Sequence, residues 1–470
     1  MQLLHEGPRM FRTDRTLSRQ LFAFTPRDRL PESSDVWLYM DLFDALDLDD
    51  FYFDYSAQGE EGLDPRLILR TVFYGLTHGV VSGRKVADAC IFDNRYIVLS
   101  GEQYPSYRTF YRFIERHGER LEGLFVQIVR LAQKMGLVSL GRIAIDGSRF
   151  KANTSKYKAM NLEQMDVAVD RIRQELAELK ANLTKDNCLE RNEAMMSGAI
   201  RRREFRLSKI EDAKRALQAE SEGQPSPKAT KSFADVDALA MQGKGEFVYG
   251  YNCQAAVDDR NQIVVAAELH SNQADTHALH TVLDSAEKVT GKRAKSFIAD
   301  AGYRAVANLE LARMRGITPF IAVGTGKKSG ERPYLEQIRY SAKNDSFLCD
   351  DERRLKHHQH RRHGLRDIKI PLDFCEKCTR KTTCLLHPKL GHIVRLPSPI
   401  QHKLLVEHQT RMRSAVGRAM LRKRKAIVEP VFGNIKNKGI RIGVRGTRKV
   451  AVWWKMACTA HNIEKIIRQR

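Results

Sequence analysis

Three acidic residues, far apart in this 470-residue chain, sit in settings that could do metal-dependent chemistry. Asp146 follows a short apolar run in GRIAIDGSRFKAN (141–153), and Asp300 follows another in KSFIADAG (295–302). Each run reads as a buried strand delivering a carboxylate to the edge of a sheet, with Gly147 letting the backbone turn away after the first. A lone Asp at a strand end most often begins a turn. It is the repetition of the design that marks both. The third acid, Glu429, lies in the basic stretch KRKAIVEPVFGNIKNKG (423–439). Two carboxylates on strands and one on a helix are what two Mg²⁺ or Mn²⁺ ions need, since these ions prefer hard oxygen ligands. Asp146 would bridge both ions, Asp300 would bind one and Glu429 the other. One ion activates a water or 3′-hydroxyl and the other stabilises the leaving oxygen. Against this stands the plainer reading of Glu429 as a salt-bridge partner of its basic neighbours.

Lys425, four residues before Glu429, and Lys436, seven after it, share its helical face if the helix is continuous. They would then hold phosphates beside the reacting bond. Pro430 makes this conditional, because its ring clashes with the carbonyl of Ala426. The expectation is a kink, or a helix beginning near Pro430, with Val428, Val431, Phe432 and Ile435 packed on the sheet.

The charge balance points to the partner. The chain carries a net +23. From Gln401 to Arg470 there are 18 Lys and Arg against 3 Asp and Glu, whereas Pro31 to Asp64 holds 11 acids and neither Lys nor Arg. A basic segment surrounding a candidate metal site fits a polyanion, which binds cations with counterion release. The acidic stretch should face away from it. A hydrophobic content of 42% is ordinary for a globular chain, and the sequence shows neither a membrane-length apolar run nor an export signal.

Residues 1–30 read as an arm. Residues 31–138 read as a helical domain: Asp64-Pro65 opens a helix with Leu67, Ile68, Thr71, Val72 and Leu76 on one face, and Gly79 ends it. Ser82 can cap a second helix and Ser106 a third, Tyr107 to His117, bearing Arg108, Arg112 and Arg116. Short helices ending in a basic, aromatic one suggest a helix-turn-helix DNA reader in which Arg108 and Arg112 touch DNA; a plain helical domain is the alternative.

Residues 139–470 read as the catalytic domain, interrupted twice. In the first insertion, 158–232, Leu162, Met165, Val169, Ile172, Leu176, Leu179 and Leu183 form a helical seam, and a second periodic run makes an antiparallel hairpin. Strands Phe247–Val257 and Ile263–His270 flank a turn-rich Asp258–Asn261. Then come a helix from Thr276 to Thr290, the Asp300 strand, a helix near 305–315 and a strand from Thr318 to Val323. This order is that of an α/β (α+β mixed) fold with a ribonuclease-H-like mixed sheet.

The second insertion, 325–405, is rich in Cys and His. Cys375-x2-Cys378-x5-Cys384 with Cys349 upstream could hold a structural Zn²⁺; free thiols in a basic loop are the other reading.

The segments IAIDGSRFKANTSK, FADVDALAMQGKGEFVYGYNCQAAVD, ADAGYR and VEPVFGNIK resemble the DDE transposases of bacterial insertion sequences. The resemblance runs from about residue 30 to 466 and includes a helical N-terminal domain starting near LDLDDFYFDYSAQGEEGLDP. It implies a ribonuclease-H-like core, the triad Asp146, Asp300 and Glu429, and cleavage and strand transfer at the element's inverted repeats. The same resemblance implies Mg²⁺ or Mn²⁺, DNA as partner, a homodimer or larger synaptic complex, and a prokaryotic cytoplasmic, nucleoid-associated setting. Asn252, Gln254, Tyr303 and Arg304 fall in motif blocks and are carried over as site-lining residues, with Asn252, Gln254 and Arg304 as DNA contacts. Many relatives place Tyr and Arg seven and four residues before the Glu; here Arg422 and Lys425 stand there. A DNA-binding regulator derived from such an enzyme, or a nuclease without strand transfer, are the alternatives.

Overall fold

The computed structural model describes residues 25–53, 55, 62–185, 190–220, 226–242, 247–272, 275–323, 338–341, 346–349, 354–355, 366–369, 393–396 and 398–469. The helical N-terminal part contains α1 (Asp35–Asp44), α2 (Asp49–Tyr52), α3 (Pro65–Thr77), α4 (Gly83–Phe92), α5 (Asn94–Leu99), α6 (Tyr107–Arg116) and α7 (Arg120–Lys134). Asp64 caps α3 through the Arg66 amide, with Pro65 as first helical residue, and Gly79 beyond its end takes a φ of 78°. Ser82 and Ser106 precede α4 and α6 without a side-chain cap bond. Helix α3 is buried almost all round because α1, α4, α5, α6 and the C-terminal helix Thr447–Ile467 surround it.

The central sheet is built from β1 (Arg142–Lys151), β4 (Leu239–Gln242), β5 (Phe247–Asp258), β6 (Val264–His270), β7 (Ser296–Ala299) and β8 (Thr318–Ile321). Its path is β4-β5-β1-β7-β8, with β6 also paired to β5. Strands β1, β7 and β8 are parallel, while β5 runs antiparallel to β1 and β6. This is the ribonuclease-H-like mixed sheet. Helix α10 (Leu279–Thr290) follows β6 and α11 (Val306–Met314) follows β7. Two C-terminal helices, α13 (Ala415–Asn437) and α14 (Thr447–Ile467), pack on the sheet, α13 on β1, β5, β7 and β8 and α14 on β6. Strands covered on both faces need no polar alternation, so Ile143, Ala144 and Ile145 are all fully buried. Asn462 of α14 bonds both the amide and the carbonyl of Val264, giving the β6 edge a partner.

The first insertion is the expected hairpin, α8 (Leu162–Lys185) against α9 (Glu190–Glu220), closed at its base by the pairing of β2 (Ala159–Met160) and β3 (Lys231–Ser232). Its own small core holds Met165, Val169, Ile172 and Leu176 against Ile210, Ala213 and Leu217. The second insertion shows β9 (Ile338–Ser341), β10 (Ser346–Cys349) and β11 (Arg354–Leu355) in one sheet and β12 (Arg366–Lys369) with β13 (Ile393–Leu396) in another. It ends earlier than the expected residue 405, because α12 (Pro399–Arg413) already packs on α11 and β8 as part of the core.

Candidate active site

Strand β1 is longer than expected, and Gly147 does not turn the chain. The strand continues to Lys151, with Asp146 opposite Ala255 and Gly147 opposite Gln254. Glycine is required at 147 for space instead. A Cβ there would collide with the Gln254 amide and lie 2.7 Å from Asp275 Oδ1 and 2.9 Å from Asn252 Oδ1. The entrance to β1 is fixed by buried Asp258, whose carboxylate accepts from the amides of Ser139 and Leu140. That bond holds Leu140 at a φ of 51°, a left-handed conformation that a branched side chain rarely adopts.

Parallel pairing sets Ala144 beside Ile298, so two residues further along Asp146 comes level with Asp300 on the same sheet face. Asp300 ends β7 and caps a single 3-10 turn (Ala301–Tyr303), accepting from the Gly302 amide at 2.8 Å. Burial pushes the Asp146 carboxyl up to about 6; Arg424 pulls it down and Asp300 raises it. Asp300 is raised as well, mainly by burial, against the Gly302 amide and Arg424. Two half-desolvated acids on one face hold a field that favours a cation.

Glu429 lies on α13, which runs unbroken through Pro430 from Ala415 to Asn437. The alternative of a helix starting near Pro430 is therefore corrected, since the helix begins fifteen residues earlier. Proline deprives the Ala426 carbonyl of its helical donor. Gln262, in the turn between β5 and β6, supplies one: its Nε2 donates to Ala426 O at 2.8 Å. A carbonyl left unpaired by the proline thus becomes the tie between the helix and the sheet.

The continuous helix brings Arg424 into the centre of the site, a residue passed over at the sequence level. Its Nη1 is 2.6 Å from Asp146 Oδ2 and its Nη2 is 3.8 Å from Glu429 Oε1. Arg424 is 15% exposed and Asp146 17%, whereas Glu429 is 53% exposed. The only signal available was spacing: a residue five before Glu429 does not share its face in the simplest helical count. Lys436 donates to Ser148 Oγ at 2.7 Å and lies 4.9 Å over the Phe150 ring, beside Asp146 on β1. Lys425 is exposed.

A fourth acid was also missed. Asp275, just after β6, accepts at Oδ1 from Asn252 Nδ2 (2.8 Å) and Gln254 Nε2 (2.6 Å), and Tyr303 donates to Gln254. Asn252 and Gln254, expected as DNA contacts, are buried to 2% and 1% exposure. Their amides face inward because Asp275 needs both donors. Arg304 is half-buried and turned toward α12, where burial and then the Arg304 charge drive His408 down to about 4. Arg108 and Arg112 do lie on the exposed side of α6 beside Tyr111, while Phe110 and Phe113 fill its inner side. Arg84 of α4 stacks on Tyr107, joining these two helices.

Oxygen donors of this kind fit Mg²⁺ or Mn²⁺, and the site already draws one cation, the Arg424 guanidinium, between two of its acids. As the side chains stand, the described residues contain no three acidic, His or Cys groups close enough to hold an ion. Cys349 is half-buried on β10; Cys375, Cys378 and Cys384 lie outside the described residues. No described helix is long and apolar enough to cross a membrane.

Two families match the chain. The family described as a transposase DDE domain covers residues 220–463, just over half of the 470 residues. A second, described as a transposase domain (DUF772), covers residues 24–116, the helical part through α6. No curated protein and no solved structure matches. Strand β1 with Asp146 precedes the DDE match, but its pairing with β5 and β7 builds it into the same sheet. The chain belongs to the DDE transposase family.

Proposed function

We propose that this transposase binds the terminal inverted repeats of its own element and catalyses metal-dependent cleavage and strand transfer, with Asp146, Asp300 and Glu429 as its catalytic acids. The observation carrying this reading is the pairing of β1 with β7, which levels two desolvated carboxylates beneath a helix that carries the third acid. Two Mg²⁺ or Mn²⁺ ions on these acids would polarise the scissile phosphate and lower the pKa of an attacking water or 3′-hydroxyl. The chain's own groups do the rest. Asp258 and the Gly147 gap hold β1 in register, and the Asp275 network fixes the Gly302 turn that orients Asp300. Lys436 and Lys425 present cations on the same helix for the DNA backbone. Helix α6 offers Arg108 and Arg112 to the repeat, and a dimer or larger complex brings two element ends together. The protein works on DNA in the cytoplasm.

A duplex bearing one element end, incubated with target DNA and Mg²⁺, should yield both cleaved ends and joined products. Cleaved ends without joined products would leave a nuclease, and neither would leave a DNA-binding regulator. Replacing Arg108 and Arg112 by Gln should weaken end binding and lower the slope of log affinity against log salt by about 1 to 2. An unchanged slope would remove α6 from the interface.

A further inference from the structure

Arg424 has a role that the triad reading does not contain. Its guanidinium reaches Asp146 with one nitrogen and Glu429 with another, so the two acids stand one guanidinium apart. The two contacts differ in kind. At 2.6 Å the bond to Asp146 is short and charge-assisted, and both partners are largely shielded from water. At 3.8 Å the contact to Glu429 is loose, and the glutamate is half in solvent. Among the described residues no other cation is ion-paired to either acid. Lys425, the next residue, is exposed, and Lys436 bonds Ser148 instead.

We propose that Arg424 is a built-in counter-ion that a divalent cation must displace from Asp146 and Glu429 before the site can work. The proposal rests on the triad reading. A carboxylate oxygen saturated by a guanidinium at 2.6 Å cannot also offer that lone pair to an ion. The guanidinium and the ion therefore compete for Asp146 Oδ2, and the protein's metal affinity is its intrinsic affinity lowered by the strength of the arginine bond. Displacement has an easy route. Arg424 and Glu429 share α13, near whose solvent side Lys425 is already exposed, so a rotamer change carries the guanidinium outward without moving the helix. Released there, it adds a cation to the surface that Lys425 and Lys436 already make basic. The device offsets one of the pair's two negative charges while no ion is bound and makes ion loading and exposure of a phosphate-binding cation one event.

The test is Mn²⁺ binding to the full-length, DNA-free protein at pH 8, where Asp146 is ionised, followed by the loss of the free-Mn²⁺ paramagnetic resonance signal. Arg424→Gln should bind Mn²⁺ about tenfold more tightly than the parent, the size of one lost charge-assisted bond. Lys423→Gln removes a charge from the same helix at an exposed position and should change affinity less than about twofold. Arg424→Lys, with a single ammonium in place of the fork, should fall between them. Unchanged or weaker binding by Arg424→Gln would overturn the proposal, as would an equal gain from Lys423→Gln, which would reduce the effect to net charge. Asp146→Asn and Asp300→Asn separate the two readings: if they bound Mn²⁺ as the parent does, the triad itself would fail, whereas lost binding in both with no gain in Arg424→Gln would sink only the counter-ion. Should Arg424→Gln melt below the assay temperature, Arg424→Lys carries the comparison alone and must still bind more tightly than the parent.

Discussion

The acids of the site rest on two different platforms. Asp146 and Asp300 sit on neighbouring parallel strands whose register is locked by buried pairs such as Ala144 with Ile298. Glu429 projects from a helix, is half exposed and meets its nearest basic partner at 3.8 Å. A strand in the middle of a sheet cannot slip without turning every buried residue to the wrong face. A helical Glu has three side-chain torsions and a solvent boundary. The difference teaches that two of the three acids are held in a fixed register while the third is adjustable, and Arg424 stands at the join.

The sharpest way to break this comparison is to change side-chain length. Asp146→Asn, Asp300→Asn and Glu429→Gln should each lower end cleavage on the order of a thousandfold with binding of the ends retained. Lengthening Asp146 to Glu should cost as much as removing its charge, because β1 cannot retreat. Shortening Glu429 to Asp should cost clearly less. Equal losses in a quantitative cleavage assay would show that the helix is as rigid as the sheet.

Next in size is a pH effect on the metal-free protein. Asp146 holds its proton more tightly when folded, at about 6 against an ordinary 3.8. The folded state binds more protons in that interval, so stability falls as pH rises from about 4 to 6 and stays lower above it. The shift amounts to about 3 kcal/mol at pH 7. Urea unfolding in EDTA should show this slope for the parent and a shallower one for Asp146→Asn; parallel slopes would mean that the strand acids are not desolvated.

Gly147→Ala should destabilise by about 2 kcal/mol, since the added methyl meets Asp275 and the Asn252 and Gln254 amides. Its cleavage should fall further than its stability, because the network that supports Asp300 is displaced; a variant with normal cleavage would detach Asp275 from the site. The smallest effect belongs to the helix. Gln262→Ala should cost about 1 kcal/mol by leaving Ala426 O to water, with cleavage lowered more than end binding. If cleavage stayed at the parental level, the Gln262 tie would play no part in presenting Glu429.

Much of this was legible in one dimension. The order of strands and helices gave the ribonuclease-H-like sheet, since each strand announces itself by an apolar run with turn residues at its ends. The α8–α9 hairpin was equally plain, its seam of Met165, Val169, Ile172 and Leu176 being purely local periodicity. The three acids stood out through their own context: two strand ends and one basic stretch.

What escaped was set by contacts distant in sequence. Gly147 looked like a turn because glycine often is one; it is a spacer because Asn252 and Gln254 of β5 and Asp275 of the turn after β6 crowd it. Pro430 looked like a helix breaker because the rule concerns the helix alone, and the missing donor arrives from Gln262, 164 positions away. Asn252 and Gln254 looked like DNA contacts because a motif records that a residue matters without recording which way it faces. Arg424 was hidden among five basic residues in a row of eight, and only the seating of α13 on β1 singles out the one that reaches Asp146. The sequence by itself determined most of the elements and marked three acids as candidates, because periodicity and charge are written locally. The tertiary structure decided which groups face the acids, because that depends on how the helix is seated on the sheet.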